Sequence, residues 1–246
     1  MRRLVIGDIH GAYKAMKQAL DRAGFDPDHD YLYTLGDIVD GYPDSLECIE
    51  YLMSLKNRSG VIGNHDIAFS ECVHSGYASP VWLSDGGRVT FSSYLHSSLD
   101  KDAIYRFFLS MQYVIVEDSF ILVHGGPAGQ SLGNLIKASK IDRAKSDPYE
   151  IRCPFVWDRT FFQSVFAKNG PDSKEDYGGR WIFIGHTPVQ NLSRTIMHPL
   201  IDDERRAVAM DTGCGHGFMC TVMDIDTRRF RQSDMAMHLY PESTPR

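Results

Sequence analysis

The chain has 246 residues, 43% of them hydrophobic and 24% charged, which is enough material for a sizeable core and is the balance of a globular rather than a disordered or fibrous protein. A formal net charge of -6 excludes a broadly basic surface, so neither nucleic acid nor an anionic membrane is expected as a partner. Phosphate binding on such a surface needs local cations or bound metals.

In chain order, Leu4 to Ile6 is a short apolar run that reads as a strand. It is too brief for a signal peptide or a membrane span, and the five scattered cysteines contain no CxxC pair, so a cytoplasmic protein with reduced thiols is expected. A helix follows over Gly11 to Ala23, with Ala12, Met16, Ala19 and Ala23 at helical spacing. Tyr31 to Leu35 is the next strand, Asp44 to Leu55 the next helix, and Val61-Ile62 a third strand. This alternation implies a parallel sheet covered by helices. Glu71 to Tyr113 reads as helical and irregular, broken at Gly86-Gly87. Tyr113 to Val116 and Phe120 to Val123 form a hairpin pattern; Gly125 to Asp147 and Asn169 to Gly179 are loop-like. Trp181 to Ile184 is a strand, and Ala207 to Arg231 reads as two more. No repeat or composition shift marks a boundary, so residues 1–246 are read as one domain.

Each of the first three strands ends in a polar cluster: Gly7-Asp8-Ile9-His10-Gly11, Gly36-Asp37-Ile38-Val39-Asp40 and Gly63-Asn64-His65-Asp66. Two later strands end in His124-Gly125-Gly126 and Gly185-His186-Thr187. Loops at the carboxyl ends of strands in an open α/β sheet converge on one site. Any one cluster alone is more often a turn; five at strand ends are hard to reach by chance. Their carboxylates, imidazoles and amide form an oxygen and nitrogen donor set without thiolate, which suits manganese, iron or zinc better than a structural zinc site. Asp8, His10 and Asp37 can hold one ion, and Asp37, Asn64, His124 and His186 a second. A shared carboxylate sets two ions roughly 3.5–4 Å apart, the separation that serves phosphoryl chemistry. His65, next to Asn64, is better placed to protonate a leaving oxygen, with Asp40 fixing its tautomer.

These motifs resemble the calcineurin-like metallophosphoesterase superfamily, from Asp8 to about Gly217. Within it the chain is similar to the bacterial and phage serine/threonine protein phosphatases, through Val81-Trp82-Leu83-Ser84-Asp85-Gly86-Gly87, Phe155-Val156-Trp157-Asp158-Arg159, Gly185-His186-Thr187-Pro188 and Asp211-Thr212-Gly213. The resemblance implies a four-layer α/β/β/α sandwich of two mixed sheets and a centre of two divalent metals, manganese first, with iron, zinc or nickel as substitutes. It implies attack on phosphorus by a metal-bound hydroxide, and substrate phosphate contacts from Arg159 and Asn64. One departure is Gly41, where the protein phosphatases carry an arginine; Arg88 and Arg143 are candidate replacements. Another is Pro188, where phosphodiesterase branches carry a histidine, which leans toward monoesters or anhydrides.

The expected activity is therefore a phosphomonoesterase acting on a phosphorylated small molecule or protein, phosphoserine and phosphothreonine included. The alternative is a symmetrical diadenosine tetraphosphate hydrolase, whose family shares the first and third motifs. A non-catalytic phosphate-binding module is the third reading, and the retention of every ligand and of the acid argues against it. His29, His74, His96, His198 and His238 are read as packing or surface residues. His216 is a candidate for the pocket wall, Tyr105, Phe107 and Phe108 for the core, and Arg228, Arg229 and Arg231 for a solvated face.

Overall fold

The alternation in β1 (Arg2–Ile6) sets the layering of the molecule. Successive side chains on a strand face opposite sides, and here both sides are apolar. Leu4 and Ile6 join the core that includes the helices, whereas Val5 joins a second cluster with Tyr33, Leu122, Phe183 and Val208. That second cluster draws on both sheets and forms the seam between them. The computed structural model describes residues 1–145, 153–168 and 176–243.

After β1, α1 (Tyr13–Arg22) buries Ala15, Met16, Ala19 and Leu20 along one face. β2 (Asp30–Thr34) runs parallel to β1 with Leu4 opposite Leu32. α2 (Ser45–Ser54) returns the chain to β3 (Arg58–Gly60), parallel to β2. The third strand thus lies three residues before the expected Val61-Ile62. Its ladder runs through Ser59 and Gly60, whose side chains give no apolar signal, while Val61 makes an isolated bridge to Gln112. The irregular helical stretch resolves into α3 (Asn64–Ser75), α4 (Pro80–Trp82), a wide turn over Leu83–Gly87, α5 (Arg88–Leu95) and α6 (Lys101–Leu109). The break falls where expected, with Gly86 at φ +95°.

β4 (Val114–Val116) and β5 (Phe120–Val123) pair antiparallel, as the hairpin pattern predicts. α7 (Leu132–Ala138) occupies a stretch read as loop: it is seven residues long with Gly133 inside it, so periodicity had little to act on. Its start is fixed by the Ser131 side chain, which accepts from the Asn134 amide. α8 (Pro154–Trp157), α9 (Thr160–Phe166), β6 (Trp181–Ile184), β7 (Leu200–Asp202), β8 (Ala207–Ala209), β9 (Thr221–Asp224), β10 (Phe230–Gln232) and α10 (Ala236–Leu239) complete the order. Three strands, not two, cover 207–231, and β7 precedes them unforeseen. These strands have three or four residues each, too short for alternation to register. The loop expected at Asn169 to Gly179 and the end of the loop at Asp147 lie partly outside the described residues.

One sheet has the order β10-β9-β1-β2-β3 and the other β4-β5-β6-β8-β7. Each is mixed, with three parallel strands inside: β1, β2 and β3 in one, β5, β6 and β8 in the other. Two mixed five-stranded sheets flanked by helices are the architecture that the family resemblance implies. Phe107 and Phe108 lie in the core, and Tyr105 packs against it and stacks on His74. Among the described residues no helix is long and apolar enough to cross a membrane.

Candidate metal centre

The residues that follow the parallel strands of both sheets meet in one buried cluster. Asp8 lies just beyond β1, Asp37 beyond β2, Asn64 beyond β3, His124 directly after β5 and His186 beyond β6. All are at most 5% exposed. Asp37 Oδ2 stands 3.7 Å from His10 Nε2 and 3.3 Å from His124 Nε2. His124 Nε2 is also 3.1 Å from Asn64 Oδ1. Donor atoms of Asp8, His10 and Asp37 lie within 4.8 Å of one another, and so do those of Asp37, His124 and His186. Asp37 belongs to both groups. This is the shared-carboxylate arrangement that the strand-end clusters predict.

The surroundings orient each donor. Asp8 Oδ2 accepts from the His186 amide at 2.9 Å, and Asp37 Oδ1 from the His65 amide at 3.1 Å. His124 Nδ1 donates to the Leu35 carbonyl at 2.6 Å and His10 Nδ1 faces the Val39 carbonyl at 3.2 Å, so each ring turns Nε2 inward. Among the donor residues of this cluster, two buried atoms have no hydrogen-bond partner, Asp8 Oδ1 and His186 Nε2. Buried polar atoms are normally satisfied; these two point to cations as the missing partners. The donor set therefore fits a pair of divalent ions.

The same crowding shifts the ionisation of the donors. Burial, then the neighbouring charge of Asp211, pushes the Asp8 carboxyl well above the usual range. Burial works the same way on Asp37, but the histidines around it, His124 first, outweigh it and hold that carboxyl well below its usual value. For His124, burial alone would depress the imidazole; the charge of Asp37, contact with that carboxylate and the charge of Asp8 push it up to about 9. His186 is pushed down to about 2 by burial and by the charges of His124 and Arg159. His186 is thus held as the neutral imidazole a cation requires, while a cation must displace the protons that Asp8 and His124 favour.

Beside this cluster, His65 Nδ1 bonds Asp40 Oδ2 at 2.7 Å, with Asp40 fully buried. Arg159 reaches the edge of the centre, where its Nη1 donates to the His186 carbonyl at 3.1 Å and to Thr187 Oγ1 at 3.2 Å. The two candidates for the missing arginine fare differently. Arg143 is buried and spends its guanidinium on the carbonyls of Phe108 and Met111, so it is a structural residue. Arg88 opens α5 and is exposed. Gly41 itself has φ +86° and would place a Cβ 3.3 Å from the His10 carbonyl, so a side chain there is strained. His216 is exposed in a short turn rather than in the wall of the cavity beside His65.

Sequence reasoning assigned no role to three supporting residues. Asp66 bonds the amides of Ile38 at 2.8 Å and Gly63 at 3.0 Å, tying the second strand-end loop to the third; burial and the charge of Asp37 raise it to about 6. Its signal was its place at the third position of a helix that starts on a glycine, where a carboxylate reaches back to the first amides. Trp82 Nε1 donates to Asp40 Oδ2 at 2.7 Å, and Thr90 Oγ1 accepts from the Asp40 amide at 2.9 Å. Nothing local in sequence pairs residues 42 and 50 positions apart. A cavity of about 320 Å³ opens beside Asn64 and His65, and Glu71, Tyr77, Trp82 and Trp157 are among its lining residues.

Known proteins resemble the chain in sequence and in fold. A symmetrical bis(5'-nucleosyl)-tetraphosphatase from Buchnera aphidicola subsp. Acyrthosiphon pisum is 31% identical over 145 residues, 58% of this chain and 50% of that protein. One of the same description from Edwardsiella ictaluri is 44% identical over 68 residues, 27% of this chain and 24% of that protein. The matches thus span about half the length of these curated relatives or less. In fold, the chain is similar to a cold-active protein-tyrosine phosphatase of a Shewanella species, with a TM-score of 0.63 at 16% identity over 94% of this chain and 77% of that one. A metallophosphoesterase from Sphaerobacter thermophilus gives a TM-score of 0.52 at 17% identity, over 98% and 95% of the two chains. With the family's pattern matched over residues 1–217, the chain belongs to the calcineurin-like phosphoesterases.

Proposed function

We propose that this chain is a dinuclear-metal hydrolase of nucleotide-type phosphoanhydrides, with symmetrical cleavage of dinucleoside tetraphosphates as its first candidate reaction. The observation that carries the hydrolase reading is the membership of Asp37 in two donor groups, with buried Asp8 Oδ1 and His186 Nε2 awaiting partners. The names of the curated relatives support the choice of substrate.

In this reading Asp8 and His10 complete one metal site with Asp37, and Asn64, His124 and His186 the other. The two ions, when bound, supply Lewis-acid charge at the phosphoryl oxygens and a water of lowered pKa. Arg159 and Asn64 grip the phosphate, the guanidinium fork matching two of its oxygens. Asp40 accepts from His65 Nδ1, which leaves Nε2 as the nitrogen that delivers a proton to the leaving oxygen.

A second reading, phosphomonoester hydrolysis including phosphorylated serine or threonine, is favoured by one observation. The buried Asp40–His65 pair suits an alkoxide leaving group, which needs a proton, more than a diphosphate, which needs little. The test uses metal-stripped protein with and without Mn²⁺ on diadenosine tetraphosphate, a phosphopeptide, and the mono- and bis-p-nitrophenyl phosphates. Preferential release of two ADP supports the first reading. Faster turnover of the phosphopeptide and monoester replaces it with the second. Binding of Mn²⁺ without turnover of any of the four overturns both.

A further inference from the structure

Asp40 is held by more than the histidine it orients. Its Oδ2 takes two bonds of 2.7 Å, one from His65 Nδ1 and one from the indole Nε1 of Trp82. Its Oδ1 has no partner. Trp82 is only 4% exposed and is wedged by Phe69, with ring centroids 5.9 Å apart. The next turn is shaped around the indole: a Cβ on Gly87 would fall 2.3 Å from Trp82 Cε2 and 2.4 Å from its Nε1. The same stretch of chain fixes the Asp40 backbone, through Thr90 Oγ1 to its amide at 2.9 Å and the Gly86 carbonyl to the Gly41 amide at 3.3 Å. The segment from Trp82 to Thr90 therefore clamps Asp40 at both its main chain and its carboxylate.

We propose that Trp82 is a positioning residue for hydrolysis: its indole N–H fixes the Asp40 carboxylate in the rotamer that accepts from His65 Nδ1, and so aims His65 Nε2 at the leaving oxygen. The proposal rests on His65 acting as the acid. Without the indole donor, one bond holds the carboxylate instead of two, and the imidazole loses its fixed aim.

The test compares phenyl phosphate, whose leaving group needs a proton, with p-nitrophenyl phosphate, whose leaving group needs little. Trp82→Phe keeps the aromatic bulk and removes the N–H. It is expected to lower the phenyl-to-nitrophenyl ratio of kcat by roughly tenfold or more, the scale of a charge-assisted hydrogen bond, with full metal content by elemental analysis. In a His65→Asn background the same change is expected to leave the ratio where His65→Asn alone puts it. Gly87→Ala, which drives a methyl into the indole, gives the same signature in a second variant should Trp82→Phe fold poorly. Equal losses on both substrates, or additive losses in the double variant, would make Trp82 a packing residue and overturn the proposal. A His65→Asn protein with the wild-type ratio removes the acid itself and the proposal with it. A lowered ratio in His65→Asn but not in Trp82→Phe overturns the proposal alone.

Discussion

Substituting Gly63 by alanine is expected to empty the metal centre. The residue sits between β3 and α3 at φ -94° and ψ 168°, backbone that any residue adopts, so the effect is steric. A Cβ there lies 2.1 Å from Asp37 Oδ1, 2.3 Å from the Asp37 amide nitrogen and 2.9 Å from its Cγ. Restoring van der Waals separation requires a shift of about 1 Å. Rotating the side chain does not suffice, because the main-chain nitrogen is equally close. Overpacking of this kind costs about 1–3 kcal/mol of stability. Metal-ligand distances tolerate only about 0.2 Å, and a misplacement of about 1 Å costs on the order of 10²-fold in rate. Elemental analysis per chain, turnover of a phosphoester substrate and thermal unfolding of the loaded protein are the assays. The expected result is substoichiometric metal, a rate about a hundredfold lower, and a reduced Tm. Gly76→Ala is the control: its Cβ meets nothing within 4 Å, and its φ of +72° costs about 1 kcal/mol of backbone strain and nothing at the site. A folded Gly63→Ala protein with two ions and the wild-type rate would refute the reasoning.

Asp37→Asn is expected to lower occupancy at both metal sites together; loss of one ion with the other fully retained would end its role as a bridge. His65→Asn should lower kcat on an alkyl phosphate by roughly 10²–10⁴-fold at unchanged metal content, and unimpaired turnover there would remove it as the acid. The raised His124 imidazole predicts a pH dependence in metal-free protein. Its folded value of about 9 exceeds the unfolded 6.5, so the stability it contributes is complete below pH 6.5 and is lost as pH rises through 9. An ion must displace that proton, so metal affinity should climb by up to tenfold per pH unit across the same window. Calorimetric titrations at pH 6.5, 7.5 and 8.5 that give one affinity would contradict the coupling. Arg159→Ala should raise KM more than it lowers kcat, and a kcat effect alone would place the guanidinium in the transition state rather than on the ground-state phosphate.

The architecture was legible wherever the signal was long. β1, α1, β2 and α2 declare themselves by apolar spacing, and the hairpin of β4 and β5 by two apolar runs around a polar turn. β3 was misplaced because Ser59 and Gly60 hold their register by backbone bonds, while the louder Val61-Ile62 lies just past the ladder. α7 and β7 have seven and three residues, shorter than any window in which periodicity can be counted. The donor cluster was legible because every member follows a strand and keeps a polar identity at an otherwise apolar end. Its supports were not. Trp82 and Thr90 lie beyond the reach of any local pattern, and so does the left-handed backbone of Gly41.

The glycines explain why these motifs occur together. In two of them, and in the turn Cys214–His216, a glycine makes room for a donor residue supplied by another part of the chain. A Cβ on Gly185 would stand 2.2 Å from Asp8 Oδ1, one on Gly63 2.1 Å from Asp37 Oδ1, and one on Gly215 2.5 Å from His10 Cδ2. Asp8, Asp37 and His10 are packed so closely that main chain from another part of the fold touches each of them. Of the seven non-glycine residues with positive φ among the described residues, four are His10, Asp37, Asp40 and His186. Such conformations cost of order 1 kcal/mol or more each and persist where the surroundings enforce them. A Gly-Asp or Gly-His pair in isolation has no partner whose carboxylate needs the space, and no reason to bear the strain. Found together, the motifs of Asp8 and Asp37 supply the crowding that makes Gly185 and Gly63 necessary. For these two motifs the co-occurrence is a physical requirement of bringing two carboxylates, an amide and three imidazoles into one buried volume.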